Sequence, residues 1–523
     1  MNKLESAIKY LIKAKVKTLA DLNQEKRKIC KKLQISPPSN ISLLKAYHKL
    51  LKNKSVKQNK NLEFLLIKRR IRSLSGIVNV SILTKPYACP GKCIFCPSQK
   101  GIPKSYLEKE PAVQRAILTE FDPQKQIKAR TEALKMQGHP TDKIELRIIG
   151  GTWSFYPKKY QTWFIANCFA ACNNSKKTSF LEKEQQKNEK AKHRIIGLTV
   201  ETRPDCIDLK EVKRLRKLGV TRVELGVQSI YDDVLKKNKR GHTIKETIRA
   251  SKLLKDAGFK VSYQIMPNLP GSDFKKDIEM FKELFSNPDF QPDLLKIYPL
   301  GLVKKTPLYS WYKKKKFKPY SVQKLIQLLI QIKKHIPYYV RIERVIRDIP
   351  SADIVTGGVK TSNLRELVQK KTNCKCIRCR EVKEKYDPKE KLHLFKKEYV
   401  ASGGKEIFLS FENKNRTKLY ALLRLRILKK TQKSLPVLKN SALVREIHTY
   451  GKMAQIHQGQ ILRSSGSFAQ HKGLGKKLMD QAEKIAKDQG FENIAVIAGV
   501  GVRGYYRKLG YKLKNTYMIK KLS

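Results

Sequence analysis

The sequence predicts an α/β protein: a partial β/α barrel of parallel strands, then a second α/β domain, with a small helical segment in front. Three observations predict it. Short apolar runs alternate with helical stretches from residue 77 to 350, the rhythm of a parallel sheet with crossover helices. Glycine-bearing and charged loops follow those runs, as they do where chemistry sits at the C-terminal ends of strands. A separate strand and helix pattern begins near residue 405.

Residues 1–75 are Lys-rich and nearly Gly-free, with Leu43, Leu44, Tyr47, Leu50 and Leu51 at helical spacing and Pro37-Pro38 as a break,. They are expected to form a basic helical segment, either touching RNA phosphates or presenting an ordinary solvated face. The barrel is assigned to 76–350, with strands over Ile77–Leu83, Glu145–Ile149, Ile195–Val200, Arg222–Val227, Val261–Met266, Leu294–Tyr298 and Val340–Val345. Leu209–Leu218 and Ile244–Ala257 are among the helices between them. Residues 175–193 are polar and read as an exposed insertion. Residues 351–404 form a connector, and 405–523 the second domain.

Lys and Arg outnumber Asp and Glu by 112 to 45, a formal charge of +67 over 523 residues. Self-repulsion at this charge calls for a polyanion. Nucleic acid fits best, because neutralised phosphates release counterions, although Lys-rich compositional drift contributes. Ten cysteines in two groups of three plus four scattered ones are not a disulfide framework,. No apolar run reaches membrane-spanning length, and the N-terminus lacks a secretory pattern. A reducing, cytoplasmic setting and no membrane partner are expected.

Cys89, Cys93 and Cys96 stand at C-x3-C-x2-C spacing. Three thiolates suit three irons of a 4Fe–4S cluster and leave the fourth open to the amino and carboxylate groups of S-adenosylmethionine (SAM). One-electron reduction would then release a 5′-deoxyadenosyl radical. A zinc half-site completed from elsewhere is the competing reading. Gly150, Gly151 and Thr152 follow the second strand, where glycines let backbone approach the methionyl amine. Glu201 and Arg203 follow the third and suit a ribose and a carboxylate, or a plain strand-end ion pair. Gln228 follows the fourth.

Gln470-His471-Lys472-Gly473-Leu474-Gly475-Lys476 matches Q-x-x-G-x-G and opens an amphipathic helix. Free amides and the helix dipole there make a pyrophosphate seat. A strand, Ile494–Ile497, and the segment holding Tyr505 and Tyr506 follow. This order is the acyl-CoA grip of a GNAT-type N-acetyltransferase fold, with Tyr506 placed to donate to the thioester or thiol, or else a core aromatic. Cys374, Cys376 and Cys379 look like a zinc site short of one ligand, with His393 a candidate fourth. Cys30, Cys168, Cys172 and Cys206 read as small buried hydrophobes.

With CPGKCIFCP, GHPTDKIELRIIGGT, GLTVETRPD, RVELGVQS, KRGHT, MPNLPGSD, LKIYPL, RDIP, SNLREL, REIHTYG, QHKGLGK and GVGVRGYYRKLGY in place, the chain resembles the catalytic subunits of Elongator. These join a radical SAM partial barrel to a GNAT domain and modify the wobble uridine (U34) of tRNA. The resemblance covers about residues 75–523. It implies that Cys89, Cys93 and Cys96 hold the cluster and that Lys143 contacts acetyl-CoA. It also implies that Glu446, Ile447, His448 and Thr449 lie along the pantetheine, that Leu474, Gly475 and Lys476 hold the pyrophosphate, and that Tyr506 meets the acetyl group. Thr449 stands where the family usually has Val. The short first cysteine gap looks prokaryotic, and the C-x-C-x2-C element belongs to only some members. The implied reaction takes hydrogen from the acetyl methyl, adds the carbon to C5 of the uridine, and hydrolyses the thioester to leave a carboxymethyl group. The tRNA anticodon loop and acetyl-CoA are the implied partners, with Lys313–Lys316 as phosphate contacts. Elongator-like accessory subunits and a homodimer are both open.

The main competing function is a protein-lysine acetyltransferase with a structural cluster, which needs a carboxylate base near the acceptor. A methylthiotransferase would need a second cysteine triad before residue 75, where only Cys30 stands. An RNA-binding scaffold would not need intact cysteines, glycines and tyrosines.

Overall fold

Seven strands form the first sheet: β1 (Val78–Leu83), β2 (Lys143–Ile149), β3 (Arg194–Thr202), β4 (Arg222–Gln228), β5 (Lys260–Ile265), β6 (Leu294–Ile297) and β7 (Arg341–Arg344). They lie side by side in chain order, all parallel. Each was expected from its apolar run, with ends moved by two residues at most. The computed structural model describes residues 2–67, 73–361, 363–383, 387, 389–428, 435–451, 456–457, 460–461 and 473–522. The crossover helices begin at side-chain caps written in the sequence: Asp122, Asp208, Asp273 and Ser321 each accept from a first-turn amide. Thr243 and Glu246 form a capping box,.

The strands alternate in a telling way. β2 carries Lys143, Glu145 and Arg147, β4 Arg222 and Glu224, and β7 Arg341 and Glu343. Successive side chains point to opposite faces of a strand. The apolar positions pack on the helices, and the charged ones turn into the barrel.

The second sheet comprises β8 (His393–Ala401), β9 (Gly404–Glu412), β10 (Leu419–Ile427), β11 (Ser441–Thr449), β14 (Asn493–Val496), β15 (Lys512–Lys514) and β16 (Tyr517–Lys521). A two-stranded ribbon, β12 (Ile456–His457) with β13 (Gln460–Ile461), stands apart. The order is β15-β16-β14-β11-β10-β9-β8, antiparallel except for the β11–β14 pair. β8 comes from inside the 351–404 stretch. It joins β9 through Ser402 and Gly403, both at positive φ, the geometry of a tight two-residue hairpin.

One apolar core runs through both sheets. The second sheet closes the N-terminal end of the barrel. Asp293, just before β6, is bridged by Arg445 of β11 at 2.5 and 2.9 Å. Arg426 of β10 reaches Asp256, ahead of β5, at 2.5 Å. Gly499 packs so tightly on Ile196 that an added Cβ would fall 2.0 Å from its carbonyl oxygen.

Residues 175–193 are not an exposed insertion. They contain the helix Leu181–Asn188, with Leu181, Glu184, Gln185 and Asn188 buried. Asn173, Ser175 and Lys187 saturate the Glu184 carboxylate, so a polar segment packs like a core one. Glu189 then grips Arg503 and Arg507 of the second domain at 3.1 and 2.5 Å. The N-terminal segment folds as the helices Lys3–Lys13, Leu19–Leu33, Asn40–Lys52 and Lys60–Leu66 around a core of its own. Among the described residues, no helix is long and apolar enough to cross a membrane.

Candidate active site

The loop after β1 carries Cys89, Cys93 and Cys96. Cys93 is buried and accepts from Arg240 Nη1 at 3.4 Å. Cys89 Sγ lies 3.4 Å from Thr152 Oγ1, in the loop after β2. Burial pushes the Cys96 thiol up to about 11, with the neighbouring Cys93 adding to it. Gly150 and Gly151 have φ of 135° and 106°, closed to ordinary side chains. A Cβ on Gly150 would strike Thr84 Oγ1 at 2.1 Å.

Arg203 and Glu201 part company. Arg203 turns to the cysteine loop. Asp205 holds it in a two-pronged bridge, Nε–Oδ1 and Nη2–Oδ2 both 2.9 Å. A Cβ on Gly91 would lie 2.3 Å from its Nη1. Glu201 turns into the barrel, bound by Tyr106 at 2.9 Å and by Arg147. Gln228 stands at φ 73° and lines the same interior.

The residues present fit a cluster with a polar ligand on it. Arg203 Nη1, Arg240 Nε, Gln228 Oε1 and both ring nitrogens of His242 are buried without a partner, a costly state unless a ligand fills it. Burial, aided by Arg240 and Arg203, pushes His242 down to about 3, so the ring is neutral at pH 7. The spacing of the thiols also discriminates. Among the described residues, only Cys374, Cys376 and Cys379 gather three ligand atoms within 4.8 Å. A tetrahedral zinc with bonds of about 2.3 Å needs sulfurs about 3.8 Å apart. Cys89, Cys93 and Cys96 are not such a group, a spread that disfavours one zinc held by all three and leaves room for a larger cluster.

The barrel interior is a cavity of about 900 Å³. Phe95, Cys96 and Pro97 line one end, and Glu446, His448 and Tyr450 of the second domain line the other. Its wall is a charge lattice that the sequence reading overlooked. Arg147 bridges Glu201 and Glu224, Lys296 also meets Glu224, and Arg222 meets Glu343 at 2.9 Å. Charges at alternate positions of otherwise apolar strands were the available signal.

β11 serves two sites at once. Glu446 and His448 face the barrel, whereas Ile447 Cδ1 lies 3.9 Å from a Cβ placed on Gly475. Burial would raise Glu446, but Lys260 and Arg424 hold it down at about 2. Burial pushes His448 down to about 4. Thr449 ends the strand opposite Ala421. Pairing between β11 and β14 stops at Val444 and Val496, with the Ile497 amide still donating to the Val444 carbonyl at 3.2 Å, and β11 runs on alone on that side to Thr449.

Gly473 is left-handed at φ 74° and opens the helix Leu474–Asp488. Leu474, Leu478, Met479, Ala482, Ile485 and Ala486 bury its inner face, which fixes the amides of Leu474, Gly475 and Lys476 at its free end. The Tyr505 hydroxyl lies 3.1 Å from a Cβ placed on Gly475, and Tyr505 packs edge-on to Tyr506 at 5.2 Å. Tyr506 is buried, and burial pushes its hydroxyl well up. Gln470 lies outside the described residues. Lys143 sits at the N-terminal end of β2, beside Asp142 and Arg194 and away from the cluster loop, its ammonium lowered by burial. In the connector, Cys374, Cys376 and Cys379 bring their sulfurs within 4.8 Å of one another, and the two neighbouring thiols push the Cys376 thiol well down. His393 starts β8 opposite Glu412 and is not in that group.

Fold and site together define a class: a radical SAM barrel whose interior opens onto the acyl-CoA sheet of a GNAT domain. Residues 83–284 match the Radical SAM superfamily, 292–373 the Radical_SAM C-terminal domain, and 466–511 the Acetyltransferase (GNAT) family. The chain is 45% identical over 512 residues to a tRNA uridine(34) acetyltransferase of Methanocaldococcus infernus, covering 94% of this chain and 93% of that one. It is 37% identical over 528 residues to the human Elongator complex protein 3, covering 96% and 93%. The solved archaeal Methanocaldococcus infernus Elp3 lacking residues 1–46 superposes with a TM-score of 0.74 at 43% identity, over 86% of this chain and all of that one. The chain belongs to the tRNA uridine(34) acetyltransferase and Elongator complex protein 3 family.

Proposed function

We propose that the chain builds a carboxymethyl group on C5 of the tRNA wobble uridine from acetyl-CoA. One observation supports this above the rest: the cluster loop and the acetyltransferase strand β11 line a single cavity. A two-carbon unit brought past Glu446 and His448 into that cavity would meet a radical source at its other end. When bound by Cys89, Cys93 and Cys96, a 4Fe–4S cluster with SAM supplies a 5′-deoxyadenosyl radical.

The remaining roles fall to the chain's own groups. Arg203, His242 and the backbone of Gly150 and Gly151 hold and orient the polar groups of SAM, with Thr152, Glu201 and Gln228 setting the shape of the pocket. The amides at Leu474–Lys476 hold the CoA pyrophosphate. Glu446 to Thr449 run along the pantetheine, Lys143 adds a cation at that end, and Tyr506 donates to the thioester oxygen, with Tyr505 covering it. A net charge of +67 and the Lys-rich helices at 3–66 hold the tRNA, with the anticodon base splayed toward the barrel. Cys374, Cys376 and Cys379 hold a structural zinc.

The lysine acetyltransferase reading loses ground on one point. Glu446 is held at about 2 by two cations, far from the value that suits a general base near neutral pH. The deciding experiment is anaerobic: tRNA, acetyl-CoA, SAM and a reductant, read by nucleoside mass spectrometry. Carboxymethyluridine is expected, lost in Cys93→Ala. Product formed without SAM would sink the scheme.

A further inference from the structure

Five aromatic rings stand together beside the cluster loop, and no role above uses any of them. Tyr87 precedes Cys89 by two residues. Phe155 and Tyr156 follow Thr152, and Tyr160 and Trp163 lie one turn apart on the helix Lys158–Asn173. Tyr87 stacks on Tyr156 at 5.0 Å and 30°, Tyr156 on Tyr160 at 5.3 Å and 23°, and Tyr160 meets Trp163 at 5.7 Å and 32°. Phe155 flanks Tyr87 at 6.2 Å.

The row is rigid. Tyr156 donates to the Lys85 carbonyl at 2.8 Å, and the Tyr160 hydroxyl accepts from the Lys85 amide at 3.1 Å. Its outer rings are open, Trp163 48% exposed, Phe155 42% and Tyr87 40%, whereas Tyr156 between them is buried. A cluster built only to pack would bury these rings, since each hides a large apolar area when covered. Cations surround it. The Lys85 ammonium lies 5.0 Å from the Tyr160 ring centre, and Lys159 is exposed at the start of the Trp163 helix, beside Lys158, whose ammonium pairs with Glu211 at 2.9 Å.

We propose that this row is a stacking platform for unpaired nucleobases flanking the target uridine. A row whose inner ring, Tyr156, is buried and whose outer rings, Tyr87, Phe155 and Trp163, are half-exposed beside lysines suits single-stranded RNA, where each base offers a π-face and each phosphate a charge,. A protein partner suits it less well, because lysine is depleted at the centre of protein interfaces. The platform rises from the same two loops that hold Cys89 and Thr152, so RNA stacked there is anchored beside the cluster loop. This inference rests on the RNA reading above.

The test uses the full chain and two probes, a tRNA anticodon stem-loop and a blunt duplex of the same stem. Stem-loop affinity should fall about tenfold for Trp163→Ala and again for Tyr87→Ala, with duplex affinity unchanged. Trp163→Phe, which keeps a flat ring, should keep most of the affinity. Stem-loop addition should quench tryptophan emission in the native chain, and Trp163→Phe should lose the share of that quench that Trp153 and Trp311 do not carry. Unchanged stem-loop affinity in both alanine variants, or a quench undiminished in Trp163→Phe, overturns the platform and leaves the face to a protein. A native chain that binds neither probe sinks the RNA reading itself.

Discussion

Arg445 has no partner in the β10–β11 register, which passes from Glu446 opposite Arg424 to Val444 opposite Leu425. A bulge places two successive residues on one face. Arg445 therefore reaches Asp293 and Glu406 while Glu446 reaches Lys260 and Arg424. Arg445, Asp293 and Glu406 are all buried. Removing the cation leaves Glu406 with Arg426 at 2.8 Å and Asp293 with Arg424 at 3.7 Å, so Arg445→Ala should lower stability by about 3 kcal/mol, the low end for a broken buried pair, read from the urea midpoint. Arg445→Met combined with Asp293→Leu should recover part of it. Tyr506 gives a second prediction at this scale. Tyr506→Phe fills the same buried space and should leave the urea midpoint nearly unchanged. It should slow carboxymethyluridine formation by roughly 10- to 100-fold if the hydroxyl serves the thioester. An unchanged rate would remove that role.

At the scale of elements, β11 couples titration to folding. The folded-state pKa of Glu446 is about 2 against an ordinary 4.5. Its contribution is therefore complete above pH 4.5 and is lost as pH falls toward 2, on the order of 3 kcal/mol. Glu446→Gln should flatten the acid limb of the stability curve between pH 5 and 3, and a limb of unchanged slope would assign it to other carboxylates. The same strand shows what a sequence can reveal. β1 to β7 were legible because each is an apolar run with a helix behind it. The helix Leu181–Asn188 was not, because its buried face is Glu184, Gln185 and Asn188, whose partners lie on other elements. The cysteine spacing announced a cluster, but Arg240 sits 147 residues from Cys93. Glu201 and Arg203 look like neighbours in sequence, yet the end of β3 sends them to different walls.

For the whole molecule, the charge decides how RNA is held. Neutralising about 6–10 phosphates makes affinity fall by about 10³–10⁵ between 50 and 200 mM salt. The four N-terminal helices keep their own apolar core, with Lys49 bound to Glu5 and Lys28 to Glu25. Lys31 and Lys32, exposed in the last turn of Leu19–Leu33, can then be neutralised without disturbing that core. Each one that touches a phosphate should make the slope of log affinity against log salt shallower by roughly one when changed to Gln. Anisotropy titrations of tRNA at four salt concentrations measure it. A shallower slope would place the N-terminal helices on the RNA. An unchanged slope would make them a solvated cap and shift the phosphate contacts to Lys313–Lys316 beside the cluster loop, where Leu308 already bonds Ile94 at 2.9 Å.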